Sequence, residues 1–289
     1  MPLAPEAPSR SAGMLAMTTD YAGMTKWSPG PYLRGIAEAG FSHVHWCHQW
    51  NTDFIYTEPE IGQIARWLDE YGLQLLDLHA SHGVEKKWLS IFEYERLAGV
   101  ELVKNRLDMT ARLGGQAIVI HISYSVEEDR EKDFSMLQLR RSLDALEPFA
   151  ARCNVRIAIE NGTFVRIHEL LADYSPEFLG LCYDSGHGNV LDGGSGLDHL
   201  DRCKGRLIAL HLHDNDGTAD QHNPIFSGTV DWPRLARIIA ESSYDKCVSM
   251  ESNMSGFAIR DEAEFLSLSF ETGMRFQRMI QRERENRPA

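Results

Sequence analysis

Short apolar runs recur eight times along the chain, and each is long enough for one buried β-strand. They lack the strict alternation of apolar and polar residues that a half-exposed strand shows, so both faces of each strand are expected to be covered. The runs occupy residues 14–18, 43–47, 73–80, 116–122, 155–160, 178–184, 206–213 and 247–251.

Segments with the spacing of an amphipathic helix separate these apolar runs. Apolar side chains recur there every three or four residues, which places them on one face of a helix. The predicted faces consist of Ile61, Ile64, Leu68 and Tyr71, of Leu97, Val100, Val103, Leu107 and Ala111, of Leu139, Leu143 and Leu146, and of Leu235, Ile238 and Ile239.

Strict alternation of strand and helix predicts parallel strands, because only a helix-length connection returns the chain to the start of a parallel neighbour. Eight such units predict one closed (β/α)8 barrel, an α/β fold of the TIM-barrel type. A doubly wound open sheet is the alternative, but no GxGxxG motif follows the first run, and the glycines within 184–196 have the wrong spacing. We expect a single barrel over residues 13–282, with flexible tails at 1–12 and 283–289.

The composition is that of an ordinary globular protein and excludes several other classes. Of 289 residues, 43% are apolar, while 42 acidic against 29 basic residues give a formal net charge of -13. This charge repels a phosphate backbone, so no nucleic acid partner is expected. No signal peptide or uncharged apolar run of about 18 residues occurs, which predicts no membrane partner. The five cysteines are far apart and form no CxxC pair, which predicts reduced thiols in a cytoplasmic protein.

Polar side chains end nearly every predicted strand. In a TIM barrel the catalytic groups lie at the carboxyl ends of the strands, so these positions are the candidates for chemistry. A single histidine would more often be a hydrogen-bonded packing residue, but the set as a whole is not explained in that way. The set consists of His45, His48, His79, His82, His121, Glu160, Asp184, His187, His211, His213 and Glu251.

Three carboxylates at one barrel mouth have a chemical consequence. Ionised Glu160, Asp184 and Glu251 repel one another, which would force at least one of them to take up a proton unless a divalent cation removes the conflict. Together with one imidazole they form an oxygen-rich site suited to Mn2+, Mg2+ or Co2+, with Zn2+ as a further candidate. His211 and His213 both stay open as the imidazole ligand, because residues two apart face the same side of a strand.

Loop residues add a second group of candidates. Asp220 and His222 follow the seventh run, where they form either a solvated surface turn or a movable substrate contact. Four aromatic residues at or after the ends of the second and third runs either pack beneath long loops or form an apolar wall against a sugar ring. They are Trp46, Trp50, Phe54 and Trp88.

Taken together, these motifs resemble the xylose isomerase-like TIM-barrel superfamily, in the branch called sugar phosphate isomerase/epimerase. The similarity spans the chain from the first strand to the last helix. It is carried by IAIEN at 157–161, CYDSGHGN at 182–189, HLHDNDG at 211–217, DQHNPIFSGTVDW at 220–232 and SMES at 249–252. The resemblance implies one divalent metal ion, with Mn2+ the first choice, held by Glu160, Asp184, His211 and Glu251. It favours His211 because the family ligand precedes an L-x-D segment.

The same resemblance implies a metal-dependent sugar isomerase or epimerase that acts on a ketose, a polyol-derived or a related carbohydrate. The cation would stabilise the enediolate that forms when the α-proton leaves, and Glu160 and Glu251 would be the catalytic pair that takes and returns the proton. The candidates for contacts with this small-molecule substrate are His187, His79, His121, His222 and Trp46. Both a monomer and a homo-oligomer stay open.

The chain departs from the ketose 3-epimerases of this family at two positions. Those enzymes resemble a pattern with a further glutamate six residues after the strand-five ligand and an arginine six residues after the strand-seven ligand. Here the two positions hold Arg166 and Gly217. The identity of the substrate therefore stays open. The site residues do not separate epimerisation, isomerisation and dehydration, and an inosose dehydratase-like or C-glycoside-cleaving lyase is the first alternative.

Two further alternatives come from other classes of protein. The sequence also resembles the endonuclease IV branch, whose trinuclear zinc set would activate water for phosphoryl transfer. The matching residues are His79, His121, Glu160, Asp184, His187, His211, Asp220, His222 and Glu251. The net charge of -13 and the lack of loops rich in Arg and Lys argue against this reading. A non-catalytic sugar-binding barrel is less attractive, since a binder needs no acid/base pair.

Overall fold

Eight strands alternate with helices along the part of the chain that the structure describes. This structure is a computed structural model that describes residues 14–23, 25–122, 129–162, 164–191 and 194–286, with only the backbone described for 129–133. Each predicted apolar run contains one strand. The strands are β1 (Leu15–Thr18), β2 (His43–Trp46), β3 (Gln74–His79), β4 (Ala117–His121), β5 (Arg156–Glu160), β6 (Leu179–Asp184), β7 (Leu207–His211) and β8 (Val248–Met250).

The helices connect successive strands, and local signals explain where they begin and end. At the second helix, for example, Thr57 and Glu60 form a capping box at the start, and Gly72 ends the helix in the left-handed conformation with φ 65°. The helices are α1 (Gly30–Glu38), α2 (Glu58–Tyr71), α3 (Glu93–Arg112), α4 (Asp129–Cys153), α5 (Phe164–Asp173), α6 (Ser185–Val190), α7 (Gly196–Cys203), α8 (Trp232–Glu241) and α9 (Glu262–Glu285).

All strands belong to one parallel sheet, in the order β7-β6-β5-β4-β3-β2-β1-β8. The ring closes between β7 and β8 through a parallel bridge of Leu212 with Met250. The Leu212 amide donates to the Ser249 carbonyl oxygen at 3.0 Å, and the Glu251 amide donates to the Leu212 carbonyl oxygen at 2.9 Å. The predicted TIM barrel is confirmed.

The apolar helix faces pack against the strands, with one exception to the prediction. Leu97 was expected on the buried face of α3, but 52% of its surface is exposed, so that assignment was wrong. Near the start of α3 the inward positions belong to Arg96 and Gly99. A Cβ atom at position 99 would lie only 2.1 Å from the Trp88 amide nitrogen, so this turn of the helix touches backbone directly. Leu97 lies on the other side of the helix as a result.

The two predicted tails fall mainly outside the described residues. This applies to residues 1–12 and to residues 287–289. The final helix α9 continues to Glu285, so residues 283–285 are helical although they were assigned to the tail. Within the described ranges, none of the helices combines the length and the apolar character needed to cross a membrane.

Candidate active site

A cavity of about 310 Å³ opens at the carboxyl ends of the strands, and most of the predicted polar residues line it. Its volume lies at the lower end of the range found for small-molecule sites. Asp184 and His211 lie next to these lining residues and are completely buried. The lining consists of Asp20, Cys47, Trp50, His79, His121, Glu160, His187, Asp220, His222, Glu251 and Asn253.

Four of the candidates converge tightly within this region. Glu160, Asp184, His211 and Glu251 each offer one ligand atom, and these atoms all lie within 4.8 Å of one another. The Nδ1 atom of His211 is 3.2 Å from Oε1 of Glu160 and 3.1 Å from Oε2 of Glu251. Both ring nitrogens of His211 and Oε2 of Glu160 are buried and have no hydrogen-bond partner among the described residues. Buried polar atoms of this kind call for a ligand, so the set fits a divalent cation.

Hydrogen bonds between side chains and backbone at the ends of β5 and β6 hold Glu160 and Asp184 in place. The Asp184 amide donates to Oδ1 of Asn161 at 2.5 Å, and Nδ2 of Asn161 donates to the Asp184 carbonyl oxygen at 2.9 Å. Oδ1 of Asp184 also accepts a hydrogen bond from the His187 amide at 2.6 Å, which caps the short helix α6. Asn161 therefore links the strand that carries Glu160 to the strand that carries Asp184.

His213, two residues beyond the end of β7, has a different role from His211, which ends the strand. Nε2 of His213 donates to Oδ2 of Asp184 at 2.9 Å, and its ring stacks on His222 with centroids 3.9 Å apart. A Cβ atom at position 186 would lie 1.9 Å from Cε1 of His213, so only glycine at Gly186 leaves room for the ring. His211 thus belongs to the four-residue group, whereas His213 supports Asp184 from another side.

Two further groups of side chains that could bind a metal adjoin the first without sharing His211, and His45 forms a third group with His211 and Glu251. Nε2 of His79 and Nε2 of His121 each lie 3.4 Å from Oε2 of Glu160, and these three residues form one group. The other group consists of His213, Asp220 and His222, whose ligand atoms also lie within 4.8 Å of one another.

Three histidines at the cavity share an anchoring pattern that suits metal or substrate binding. Each uses Nδ1 to contact a backbone carbonyl oxygen: His79 that of Ala80 at 3.1 Å, His187 that of Asn161 at 3.0 Å, and His222 that of Glu251 at 3.0 Å. Their Nε2 atoms face carboxylates of the site: those of His187 and His222 lie 3.3 and 3.2 Å from Oδ2 of Asp220, and that of His79 lies 3.4 Å from Oε2 of Glu160. An imidazole anchored through Nδ1 in this way is typical of histidines that bind metals.

The charges in the cavity are strongly coupled. Burial raises the pKa of Glu160, but the His121 and His211 imidazoles outweigh burial and hold that pKa well below its ordinary value. Burial lowers the pKa of His211, yet nearby Cys182 and Glu251 keep that pKa well above its ordinary value. For His222, burial also lowers the pKa, but the hydrogen bond with Asp220 dominates and raises it to about 10. Carboxylates and imidazoles here balance each other's charge.

The aromatic candidate Trp46 lies in a different place from the polar ones. Along β2 successive side chains alternate, so His45 points into the barrel and contacts Oδ1 of Asp77 at 2.5 Å, whereas Trp46 points to the outside of the strand. Nε1 of Trp46 donates to the Tyr56 hydroxyl at 2.9 Å, and its ring lines a neighbouring cavity. The tryptophan that lines the 310 Å³ cavity, which we call the metal-ligand cavity for its His, Asp and Glu side chains, is Trp50. The centroid of the Trp50 ring is 4.7 Å from that of His79.

Sequence reasoning missed three residues of the cavity, namely Asp20, Cys47 and Asn253. Asp20 lies two residues beyond β1, where its Oδ1 accepts a hydrogen bond from Oγ1 of Thr18 at 2.6 Å. The rule that polar residues after strand ends face the barrel mouth would have included Asp20 and Asn253. Cys47 gave no such signal, because a lone cysteine beside a tryptophan is an ordinary core residue.

Comparison with known proteins agrees with this architecture. Residues 33–268 match a family model described as xylose isomerase-like TIM barrel. The uncharacterised protein y4fM of Sinorhizobium fredii is 32% identical over 273 residues, which cover 85% of this chain and 87% of that protein. A D-tagatose 3-epimerase-like protein superposes with a TM-score of 0.74 at 19% identity, covering 93% of this chain and 98% of its own. The E. coli 3-keto-D-glucoside 4-epimerase YcjR superposes with a TM-score of 0.71 at 19% identity, covering 91% of this chain and 99% of its own.

Proposed function

Because the chain belongs to the xylose isomerase-like TIM-barrel family, we propose that it is a divalent-metal-dependent sugar epimerase or isomerase that moves a proton next to a carbonyl group. The observation that carries this proposal is the convergence of Glu160 and Glu251 on one nitrogen of His211, at 3.2 and 3.1 Å. Solved structures of the same fold bear the names of sugar epimerases, which supports an isomerase-type activity.

The four-residue group would hold the ion. Glu160, Asp184, His211 and Glu251 offer three carboxylates and one imidazole, a donor set that suits Mn2+, Mg2+ or Co2+. When bound, such an ion supplies positive charge that stabilises an oxyanion beside the carbon that loses its proton.

The two glutamates would carry the proton. They come from the ends of β5 and β8, which are three strands apart in the ring, so they can reach a sugar carbon between them from different sides. Glu160 has its pKa held well below the ordinary value, since His121 and His211 outweigh the effect of burial, so it is ionised at neutral pH and able to accept a proton. Return of the proton by Glu251 to the opposite face of that carbon gives epimerisation.

Residues around the rim would orient the sugar. Nδ1 of His187 donates to the Asn161 carbonyl oxygen at 3.0 Å, and its Nε2 lies 3.3 Å from Oδ2 of Asp220, so the pair would present a charged edge to a substrate hydroxyl. Trp50 lines the same cavity and offers an apolar face to the sugar ring. His79, His121 and His222 complete a polar rim that can hydrogen-bond hydroxyl groups.

Deuterium uptake tests the proposal directly. The protein loaded with Mn2+ is incubated in heavy water with a panel of ketoses and keto-glycosides, and proton NMR follows exchange at the carbon next to the carbonyl group. We expect exchange with at least one sugar. Glu160→Gln and Glu251→Gln should each reduce the rate by about 100-fold or more.

Glu38→Gln provides a matched control, because the Glu38 side chain at the end of α1 is 72% exposed and is not among the residues that line the cavity. This variant should exchange at the wild-type rate. Absence of exchange across the whole panel, or undiminished exchange in both cavity variants, would contradict the proposal.

A hydrolytic function is the second candidate, because several groups of side chains that could bind metals adjoin one another. Beside the four-residue group, His79 and His121 join Glu160, and His213 joins Asp220 and His222. Several closely spaced metals could activate water for hydrolysis of a phosphodiester. Metal analysis of the purified protein separates the two candidates: about one ion per chain supports the isomerase, whereas about three zinc ions together with hydrolysis of bis(p-nitrophenyl) phosphate support the hydrolase.

A further inference from the structure

A second cavity, of about 510 Å³, lies beside the metal-ligand cavity. We call it the aromatic cavity, because six aromatic side chains line it: Trp27, Tyr32, Trp46, Phe54, Tyr56 and Trp67. Residues 46–50 lie between the two cavities and are partly exposed at Gln49 and Trp50. Trp46, His48 and Gln49 line the aromatic cavity, whereas Cys47 and Trp50 line the metal-ligand cavity.

The walls of the aromatic cavity are held in place by buried polar contacts. Nη2 of the buried Arg106 donates to the Phe54 carbonyl oxygen at 2.9 Å and to the Gln49 carbonyl oxygen at 3.4 Å, which fixes the segment after β2 on α3. On the other side the Trp67 ring packs against the start of α1. A Cβ atom at position 30 would lie 3.2 Å from that ring, so Gly30 permits the close approach. The cavity is therefore preformed, as small-molecule sites usually are.

Two observations indicate that the aromatic cavity takes a ligand. The Trp27 side chain is fully exposed, with a relative accessibility of 105%, although its indole lines the cavity. A ligand that covers such a large exposed ring removes apolar surface from water, which favours binding. His48, which lines the same cavity, is only 6% exposed, and its buried Nδ1 has no hydrogen-bond partner among the described residues.

The charges around the aromatic cavity favour an uncharged ligand. The Lys26 ammonium group pairs with Glu262, and Oε2 of Glu60 accepts hydrogen bonds from the amide and hydroxyl groups of Thr57 at 2.9 and 2.7 Å. Burial lowers the pKa of His48 to about 4, so its ring is neutral near pH 7. With the ammonium group paired and the carboxylate hydrogen-bonded, the cavity offers aromatic faces together with the side-chain amides of Gln49 and Gln63. This combination suits a sugar ring, which has apolar faces and a hydroxyl edge.

We propose that the aromatic cavity binds the second ring of a two-ring glycoside whose first ring occupies the metal-ligand cavity. This inference rests on the proposed function, because it takes the first ring to be the sugar that exchanges its proton. A single chain segment, residues 46–50, lies between the cavities, with Trp46, His48 and Gln49 on one side and Cys47 and Trp50 on the other. A two-ring ligand would pass over the partly exposed end of this segment, at Gln49 and Trp50. The substrate class is therefore a disaccharide or an aryl glycoside rather than a free monosaccharide.

Calorimetric titration of the full-length, Mn2+-loaded protein tests the inference. The probes are cellobiose, maltose, sucrose and phenyl β-D-glucoside, with glucose as the one-ring reference. We expect at least one two-ring probe to bind about tenfold more tightly than glucose. Trp27→Ala should remove most of this gain while leaving glucose affinity unchanged, and folding should tolerate it because the Trp27 side chain is fully exposed. Tyr94→Ala, at a position 71% exposed on α3, is the control and should bind every probe as wild type does.

The outcomes separate this inference from the proposed function. If no two-ring probe binds more tightly than glucose, or if Trp27→Ala binds all probes as wild type does, the inference is overturned. Trp67→Phe, which keeps an aromatic ring beside Gly30, provides a second variant and should weaken two-ring binding by a smaller factor than Trp27→Ala. Deuterium exchange is an independent readout: its absence, with Trp27-dependent binding intact, overturns the proposed function and keeps the aromatic cavity as a ring-binding site.

Discussion

Alanine in place of Gly186 should damage both the stability of the barrel and its affinity for a divalent ion. The new Cβ atom would lie 1.9 Å from Cε1 and 2.5 Å from Nδ1 of His213, well inside ordinary contact distance. The His213 ring is completely buried, stacks on His222 and donates to Asp184 at 2.9 Å. The ring cannot retreat into solvent, so either the ring or the backbone of α6 must move and the contact with Asp184 is lost.

The size of the effect follows from three terms. Overpacking a buried site costs about 1 to 3 kcal/mol, and loss of a buried hydrogen bond to a charged group costs about 1.5 to 3 kcal/mol. Alanine regains about 1 kcal/mol relative to glycine within a helix. The sum predicts a net loss of about 2 to 5 kcal/mol, and Tm should fall by about 4 to 10 °C for a chain of this size. Because His213 orients the Asp184 carboxylate, Mn2+ affinity should also fall by about 10- to 100-fold.

Urea unfolding measures the loss of stability, and calorimetric titration of chelator-treated protein with Mn2+ measures the loss of metal affinity. Gly62→Ala is the matched control: in α2 its Cβ atom would meet only Nη1 of Arg66, at 3.7 Å, so this variant should gain up to about 1 kcal/mol and bind Mn2+ normally. Wild-type stability and wild-type Mn2+ affinity in Gly186→Ala would refute the reasoning.

Three other predictions follow from the contacts described above. His48→Gln should make the free energy of unfolding less sensitive to acid. Burial lowers the folded-state pKa of His48 from 6.5 to about 4, so the unfolded chain takes up the proton first as the pH falls. Wild type should therefore lose about 2 kcal/mol of stability between pH 8 and pH 5 that the variant keeps. Urea unfolding at both pH values measures this, and equal losses would contradict it. Arg106→Met leaves the Gln49 and Phe54 carbonyl oxygens without their donor, which should cost about 2 kcal/mol and speed hydrogen exchange in the segment after β2; unchanged exchange would count against this role. Mn2+ at about 100 times its Kd should raise the Tm of chelator-treated protein by about 5 °C, and an equal rise in Asp184→Asn would argue against Asp184 as a ligand.

The fold was predictable because buried parallel strands leave an unambiguous pattern of apolar runs. Helical periodicity was less reliable where glycine brings a helix onto backbone, as Gly99 does at Trp88, and this is why Leu97 was placed on the wrong face. Periodicity records which residues are apolar. It does not record which turn of a helix must approach another chain segment closely.

The polar part of the candidate site followed from one rule about strand ends, whereas its aromatic part did not. Glu160, Asp184 and Glu251 were found because carboxylates seldom end buried strands without a purpose. The choice of Trp46 over Trp50 depended on which way each ring points, and β2 has a register shift against β3 at Val44 and His45. The aromatic cavity depends on contacts between distant segments, such as Arg106 with the loop after β2, and these have no signature in the sequence.

The closure of the barrel at Leu212 and Met250 has a mechanical consequence. β8 has only three residues, and the two groups that flank this seam are His211 on one side and Glu251 on the other. An ion bound by both residues would hold β8 and α9 against the rest of the ring. Loss of the ion would therefore make local unfolding of β8 and α9 more frequent. Limited proteolysis near α9 would then report metal loading without any substrate.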